Sequence, residues 1–111
     1  MASSSLRGAR VIRVEGDVDL SSIAGVQAHI DGAFAAGEDR LVIDLEHVTF
    51  LDSKVLHVLF RALERARRQG GDIAVVCVDP TICRVLNVFG LAREVEVCDS
   101  ANAAALALSG N

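Results

Sequence analysis

The sequence predicts a single α/β domain built on a mainly parallel or mixed sheet of about four to five strands, with about four helices. Apolar runs of strand length alternate with stretches in which apolar residues recur every three or four positions, the pattern of parallel strands joined by crossover helices. The 111 residues suit one core and are too few for two ordinary domains. With 51% apolar residues, four Phe and no Trp or Tyr, the interior must be filled by Val, Leu, Ile and Ala, a composition that argues against disorder.

Residues 1–8 (Met1-Ala2-Ser3-Ser4-Ser5-Leu6-Arg7-Gly8) are small and polar and read as a flexible N-terminus, with the domain over 9–108 and room for a further short strand near the start. Val11, Ile12 and Val14, set among Arg10, Arg13 and Glu15, read as a first strand with one exposed face that Gly16-Asp17 breaks. Ser21 or Ser22 is the expected cap of a helix carrying Ile23, Val26, Ile30 and Phe34 on one stripe, with Gly37 as its left-handed stop. Leu41-Val42-Ile43-Asp44-Leu45 reads as an interior parallel strand at the centre of the sheet, followed by a connector over Glu46–Leu51. Asp52 or Ser53 then caps a long helix with Leu56, Leu59, Phe60, Leu63 and Ala66 buried and Gly70-Gly71 at its end. A strand over Ile73–Val78 leads to Asp79-Pro80, a cap followed by a residue tolerated at the first helical position. The short helix that follows turns Ile82, Val85, Leu86 and Phe89 inward and stops at Gly90. A last strand over about Glu94–Val97 and a terminal Ala/Leu-rich helix after Asp99-Ser100 complete the chain.

Fifteen acidic against eleven basic residues give a net charge of −4, which opposes a broad grip on nucleic acid or on an anionic membrane surface. No apolar run approaches the ~18 residues needed to span a bilayer, so no membrane insertion is expected. Cys77, Cys83 and Cys98 cannot all pair within the chain, and none stands in a zinc-binding spacing. A reducing, cytoplasmic setting with no metal and no cofactor is the expectation, with a protein partner or a small ligand as the target.

The stretch Val42 to Leu56 delivers the Ser53 hydroxyl to a helix start just after a buried strand, where free amides and the helix dipole favour an anion. Lys54, His57 and Arg61 add cations along the first turns, and Asp17 and Asp19 approach Ser53 if both lie at one sheet edge. The competing reading makes Ser53 a simple cap and Asp17 and Asp19 turn residues. A hydrolase elbow would need glycines where Leu51 and Val55 stand, and no independent His follows to act as base, so no catalytic residues are assigned. Val55, Val58 and Ala62 extend an apolar strip beside the core stripe, which fits either a docking surface or a wider buried face. His29 and His47 read as surface positions, and the Arg65–Arg68 run as a solvated helix end.

Taken together, Gly16-Asp17-Val18-Asp19, Val42-Ile43-Asp44-Leu45, Val48-Thr49-Phe50-Leu51-Asp52-Ser53, the Arg65–Gly71 helix end, and Pro80 through Val85-Leu86 to Phe89-Gly90-Leu91 resemble the STAS domains. Within them, the likeness is to the free-standing bacterial anti-sigma factor antagonists. It covers about residues 8–108.

The resemblance implies a STAS-like fold and a non-enzymatic regulator of transcription. Such a protein binds an anti-sigma factor that is also a serine kinase, and so releases a sigma factor. It implies phosphorylation at Ser53 as the off-switch, reversed by a phosphatase, with Asp17, Asp19, Ser21, Asp52, Lys54, Val55, His57, Val58 and Arg61 at the partner-binding face. The chain departs from the family's usual Asp-Ser-(Ser or Thr)-Gly followed by Leu-Gly, having Asp52-Ser53-Lys54-Val55-Leu56-His57. The alternative is a constitutive STAS interaction subunit of a transporter-associated or stress-signalling complex without phosphoswitching, which the missing glycine at position 55 favours. A bridge between Cys77 and Cys98, near the ends of strands that can be neighbours, competes with simple burial of both.

Overall fold

The computed structural model describes residues 1–109, with one sheet whose strands lie side by side in chain order: β1 (Ala2–Leu6), β2 (Ala9–Val18), β3 (Arg40–Leu51), β4 (Asp72–Val76) and β5 (Glu96–Cys98). β1 is antiparallel to β2, and every later pairing is parallel. Helices α1 (Ile23–Ala35), α2 (Ser53–Arg68) and α3 (Pro80–Val88) form the crossovers, and α4 (Ala101–Ser109) follows β5. Crossovers of one hand between strands laid down in order put their helices on one face. There Val26, Ile30, Leu56, Leu59, Ile82 and Leu86 pack with Ile12, Ile43 and Val75 in the larger core. On the other face Ala104 and Ala105 of α4 meet Val11, Val42, Ala74 and Val76. Covered on both faces, Leu41–Leu45 is buried throughout, as its unbroken apolar run requires.

The segment read as a flexible N-terminus is strand β1. Arg7 (φ 51°) and Gly8 (φ 82°) turn through the left-handed region, so that Leu6 pairs with Ala9 and Ala2 with Arg13. Composition hid it: β1 has no β-branched or aromatic residue, and Arg stands where Asn or Gly is usual in such a turn.

Gly16-Asp17 does not break β2, and Glu46–Leu51 is not a connector. Both belong to a parallel ribbon that runs on past the end of β4, which leaves β3 at the pair Asp44–Val76. The ribbon is irregular. Between the pairs Arg13–Asp44 and Glu15–His47, and again between Gly16–Val48 and Asp17–Phe50, β3 carries one more residue than β2. Each extra residue reverses the inward and outward alternation, which is why strand periodicity is lost exactly where the strand continues.

Asp79 caps α3 by accepting from the Thr81 amide at 2.8 Å, with Pro80 at the first turn as expected. Of the two glycines ending α2, Gly70 (φ 87°) makes the left-handed stop, and Gly71 is required by packing, since a Cβ there would lie 1.9 Å from the Asp39 carbonyl oxygen. Phe89, expected inward, is 52% exposed because α3 ends at Val88 and the chain turns at Gly90 (φ 85°). Val78, expected in the fourth strand, is exposed beyond it, and the last strand lies slightly later than expected, at Glu96–Cys98.

Candidate functional site

The β2–β3 ribbon ends in two adjoining loops. The Asp52 amide donates to the Val18 carbonyl at 2.9 Å, joining the end of β2 to the start of α2. The Thr49 hydroxyl donates to Asp17 Oδ1 at 2.8 Å across the same junction. Asp17, Asp19, Asp52 and Ser53 therefore share the edge of the sheet where its parallel strands end, as the sequence reading required.

Two carboxylates organise this edge. Asp19 caps a 3-10 turn over Leu20–Ser22, accepting from the Ser21 amide at 3.0 Å, while the Ser22 side chain accepts from the Asp19 amide. The hydroxyl of Ser21 also donates to Asp19, and this bond, followed by that from the Ser21 amide, lowers the Asp19 pKa. Neither serine caps α1 as expected. Ser22 stands at its N-terminus without a side-chain cap bond because Asp19 has started the 3-10 turn three residues earlier. At the second loop Asp52 accepts from the Lys54 amide at 2.8 Å and is the cap of α2. Ser53 is thus the first residue of the helix, half-buried, and its hydroxyl is not the capping group.

Lys54, His57 and Arg61 are all exposed on α2 and, at spacings of three and four, lie on one face running away from Ser53. Arg61 continues into a groove of about 420 Å³ between α1 and α2, where Arg65 and Arg68 also stand. Arg65 is held there by Asp31 at 2.8 Å and lies 4.4 Å from the centre of the Phe34 ring.

Two expected partner-binding residues are corrected: Val55 and Val58 are each 2% exposed and belong to the main core. The wider apolar strip on α2 is buried face, because the helix lies under the ribbon as well as on the sheet. Two exposed apolar side chains at the edge were missed, Leu20 beside Asp19 and Phe50 opposite Asp17. Phe50 faces out because the second bulge reverses the alternation after Val48, a reversal that the bare sequence does not mark.

Beneath the edge lies Asp44, fully buried. Its Oδ1 accepts from the Glu46 amide at 3.0 Å, within the first bulge, and its Oδ2 faces the Arg13 guanidinium at 3.4 Å. The carboxylate takes up a backbone donor that an irregular ladder would otherwise strand. Cys77, just beyond β4, donates its amide to the Cys98 carbonyl, yet its Sγ lies against Cys83 Sγ of α3, 2.9 Å away, and all three thiols are free.

The sequence model of the STAS domain matches residues 3–104, nearly the whole described chain. The chain belongs to the STAS domain family. Among curated proteins, this STAS domain is 27% identical over 95 residues to the anti-sigma F factor antagonist of Paenibacillus polymyxa, covering 85% of this chain and 81% of that one. Among solved structures it is similar to an anti-sigma factor antagonist from Mycobacterium paratuberculosis, with a TM-score of 0.88, 25% identity, and coverage of 97% and 92% of the two chains. It also shares its fold with the anti-sigma factor antagonist SpoIIAA in its unphosphorylated form (TM-score 0.84, 19% identity, 99% and 96% covered). The Bacillus SpoIIAA in its phosphorylated form gives a TM-score of 0.71 at 20% identity, with 92% and 94% covered. Among the described residues of this STAS domain no helix is long and apolar enough to cross a membrane.

Proposed function

We propose that this STAS domain is a non-enzymatic anti-sigma factor antagonist. It binds an anti-sigma factor that is also a serine kinase, through the edge formed by Asp17, Asp19, Ser21, Asp52, Lys54, His57 and Arg61, and is switched off by phosphorylation of Ser53. The observation that carries this reading is the division of labour at the start of α2. Asp52 makes the cap bond, which leaves the hydroxyl of Ser53 without a structural task at a helix N-terminus. The names of the curated relative and of the Mycobacterium structure support the antagonist role, and SpoIIAA in a phosphorylated form supports the switch.

The electrostatics give the switch its sign. A phosphate adds roughly −1.5 to −2 charges. Within this chain the first-turn amides of α2 and the nearby Lys54 tolerate it. Against a docked partner the same charge joins Asp17, Asp19 and Asp52, so that closing the interface means desolvating a concentrated negative patch. A few kcal/mol suffices to exchange partners, because about 1.4 kcal/mol is tenfold in affinity. Leu20 and Phe50 supply the exposed apolar area that such an interface needs at its centre. A phosphatase resets the switch.

The constitutive-subunit reading drew on the side chain at position 55 as an obstruction at the partner face. Val55 is buried, so its bulk is met by this chain's own core, which supports the switched reading. Incubation with the cognate kinase and ATP is expected to add one phosphate, which Ser53→Ala abolishes, and Ser53→Asp is expected to lose partner binding at least tenfold. Absence of phosphate uptake together with unchanged binding of Ser53→Asp would overturn the reading.

A further inference from the structure

We propose that Cys83 and Cys77 form a two-electron oxidation site that closes to an intramolecular disulfide between the end of β4 and the second turn of α3. The two sulfurs lie 2.9 Å apart, closer than ordinary non-bonded sulfur contact, although both cysteines are free thiols. Closing to a bond of about 2.05 Å needs a shift of less than about 1 Å in the sulfurs, within reach of small side-chain rotations.

The fold sets up this pair. Asp79 caps α3 and its carbonyl accepts from the Cys83 amide at 2.9 Å, so the chain reverses between the two cysteines and turns Cys83 back over Cys77. Cys77 is buried in the main core and Cys83 is partly exposed against it. The two thiols therefore divide the chemistry. Burial, then the hydrogen bond with Cys83, pushes the Cys77 thiol up to about 12 and keeps it protonated, so a solvent oxidant meets Cys83 first.

With hydrogen peroxide as oxidant, the Cys83 thiolate attacks one peroxide oxygen and the O–O bond breaks. Cys83 becomes a sulfenic acid, and the departing hydroxide takes the proton that the thiol released, giving water. The Cys77 sulfur then attacks the Cys83 sulfur. The S–S bond forms as the S–O bond breaks, and the leaving hydroxide takes the Cys77 proton to give a second water. Overall two thiols lose two electrons and two protons, and peroxide is reduced to two waters. Cys98 takes no part: its carbonyl accepts from the Cys77 amide, but its thiol is not paired with either sulfur among the described residues.

The bridge would pin α3 to the end of β4, which leaves β3 at the pair Asp44–Val76, well short of the loop that carries Ser53. The test is limited peroxide treatment of the intact chain, alkylation of remaining thiols, and non-reducing peptide mapping. The expected product has lost two hydrogens, links the Cys77 and Cys83 peptides, and leaves Cys98 alkylated. Linkage should form at least about tenfold faster in the native chain than in urea, because folding supplies the effective concentration. In Cys77→Ser the linked peptide should vanish and Cys83 should accumulate as sulfenic and then sulfinic acid. A wild-type product in which Cys83 oxidises to sulfinic acid while Cys77 stays free, a bridge that includes Cys98, or equal rates in buffer and urea would each overturn the proposal.

Discussion

The hydroxyl of Thr49 meets Oδ1 of Asp17 at 2.8 Å, and the threonine that makes this bond is itself the extra residue of the second bulge in β3. An irregularity in the ladder is thereby used as a clasp between the two loops of the candidate edge. Thr49→Val keeps the branched shape and removes the donor. The expected cost is about 0.5–1 kcal/mol in urea unfolding, the low end for an exposed hydrogen bond, together with faster amide exchange across Gly16–Leu20. Unchanged exchange there would show that the bond does not hold the loop.

At the start of α2, stability and switching should separate. Asp52→Ala removes the cap and should cost about 1 kcal/mol. Ser53→Ala should lie within about 0.5 kcal/mol of the parent, because its hydroxyl makes no cap bond. Paired urea titrations check the contrast, and a loss in Ser53→Ala as large as that in Asp52→Ala would return the capping role to the serine.

Asp44 should be among the least replaceable polar residues of the chain. Asp44→Ala strands the Glu46 amide inside the bulge and leaves Arg13 unpaired, with an expected loss of about 2–3 kcal/mol. Asp44→Asn keeps an oxygen that can accept from Glu46 and should lose less. The ordering of the two unfolding midpoints is the measurement.

Restoring the family's usual glycine at position 55 should harm the fold. Val55→Gly empties a buried site and adds a helix-propensity penalty of about 1 kcal/mol, for a total loss of about 2–4 kcal/mol. Partner affinity, measured below the unfolding transition, should stay within about threefold of the parent, since the side chain faces inward.

Alkaline pH should destabilise the chain through Cys77. Its thiol is raised from 9.0 to about 12, so the folded state holds the proton more tightly than the unfolded state does. Stability from this group is therefore complete below pH 9 and declines as pH rises from there toward about 12. Cys98, whose thiol burial and then Glu96 and Asp99 also push up, adds a loss of the same sign, and the chain has no Tyr. Urea midpoints across the interval should fall, with a shallower fall in Cys77→Ala.

Where local periodicity and burial agree, the sequence could be read closely. The central run Leu41–Leu45, the Asp79-Pro80 start of α3 and the glycine stops at Gly37, Gly70 and Gly90 all stand where physical rules put them. Legibility failed where pairing, rather than composition, made the structure. β1 is a strand because β2 offers it a ladder, and Glu46–Leu51 is a strand because bulges absorb its broken alternation. The candidate edge divides in the same way. The sequence brings Asp17 and Asp19 to Ser53 only on condition that they share a sheet edge, which the ribbon supplies, whereas the inward turn of Val55 and Val58 and the outward turn of Phe50 depend on how α2 and the ribbon meet in three dimensions.

The hairpin that opens the chain bears on self-assembly. Any open sheet has two outer margins at which another molecule can add a strand and begin a fibril. Here one margin is a row of exposed serines, Ser3-Ser4-Ser5, with no bulky side chain to zip against a copy, and the other, Glu96–Cys98, is three residues long. The apolar strands most prone to templated growth are kept between them, so the molecule can hold a core rich in valine and isoleucine and still resist polymerising through its own backbone.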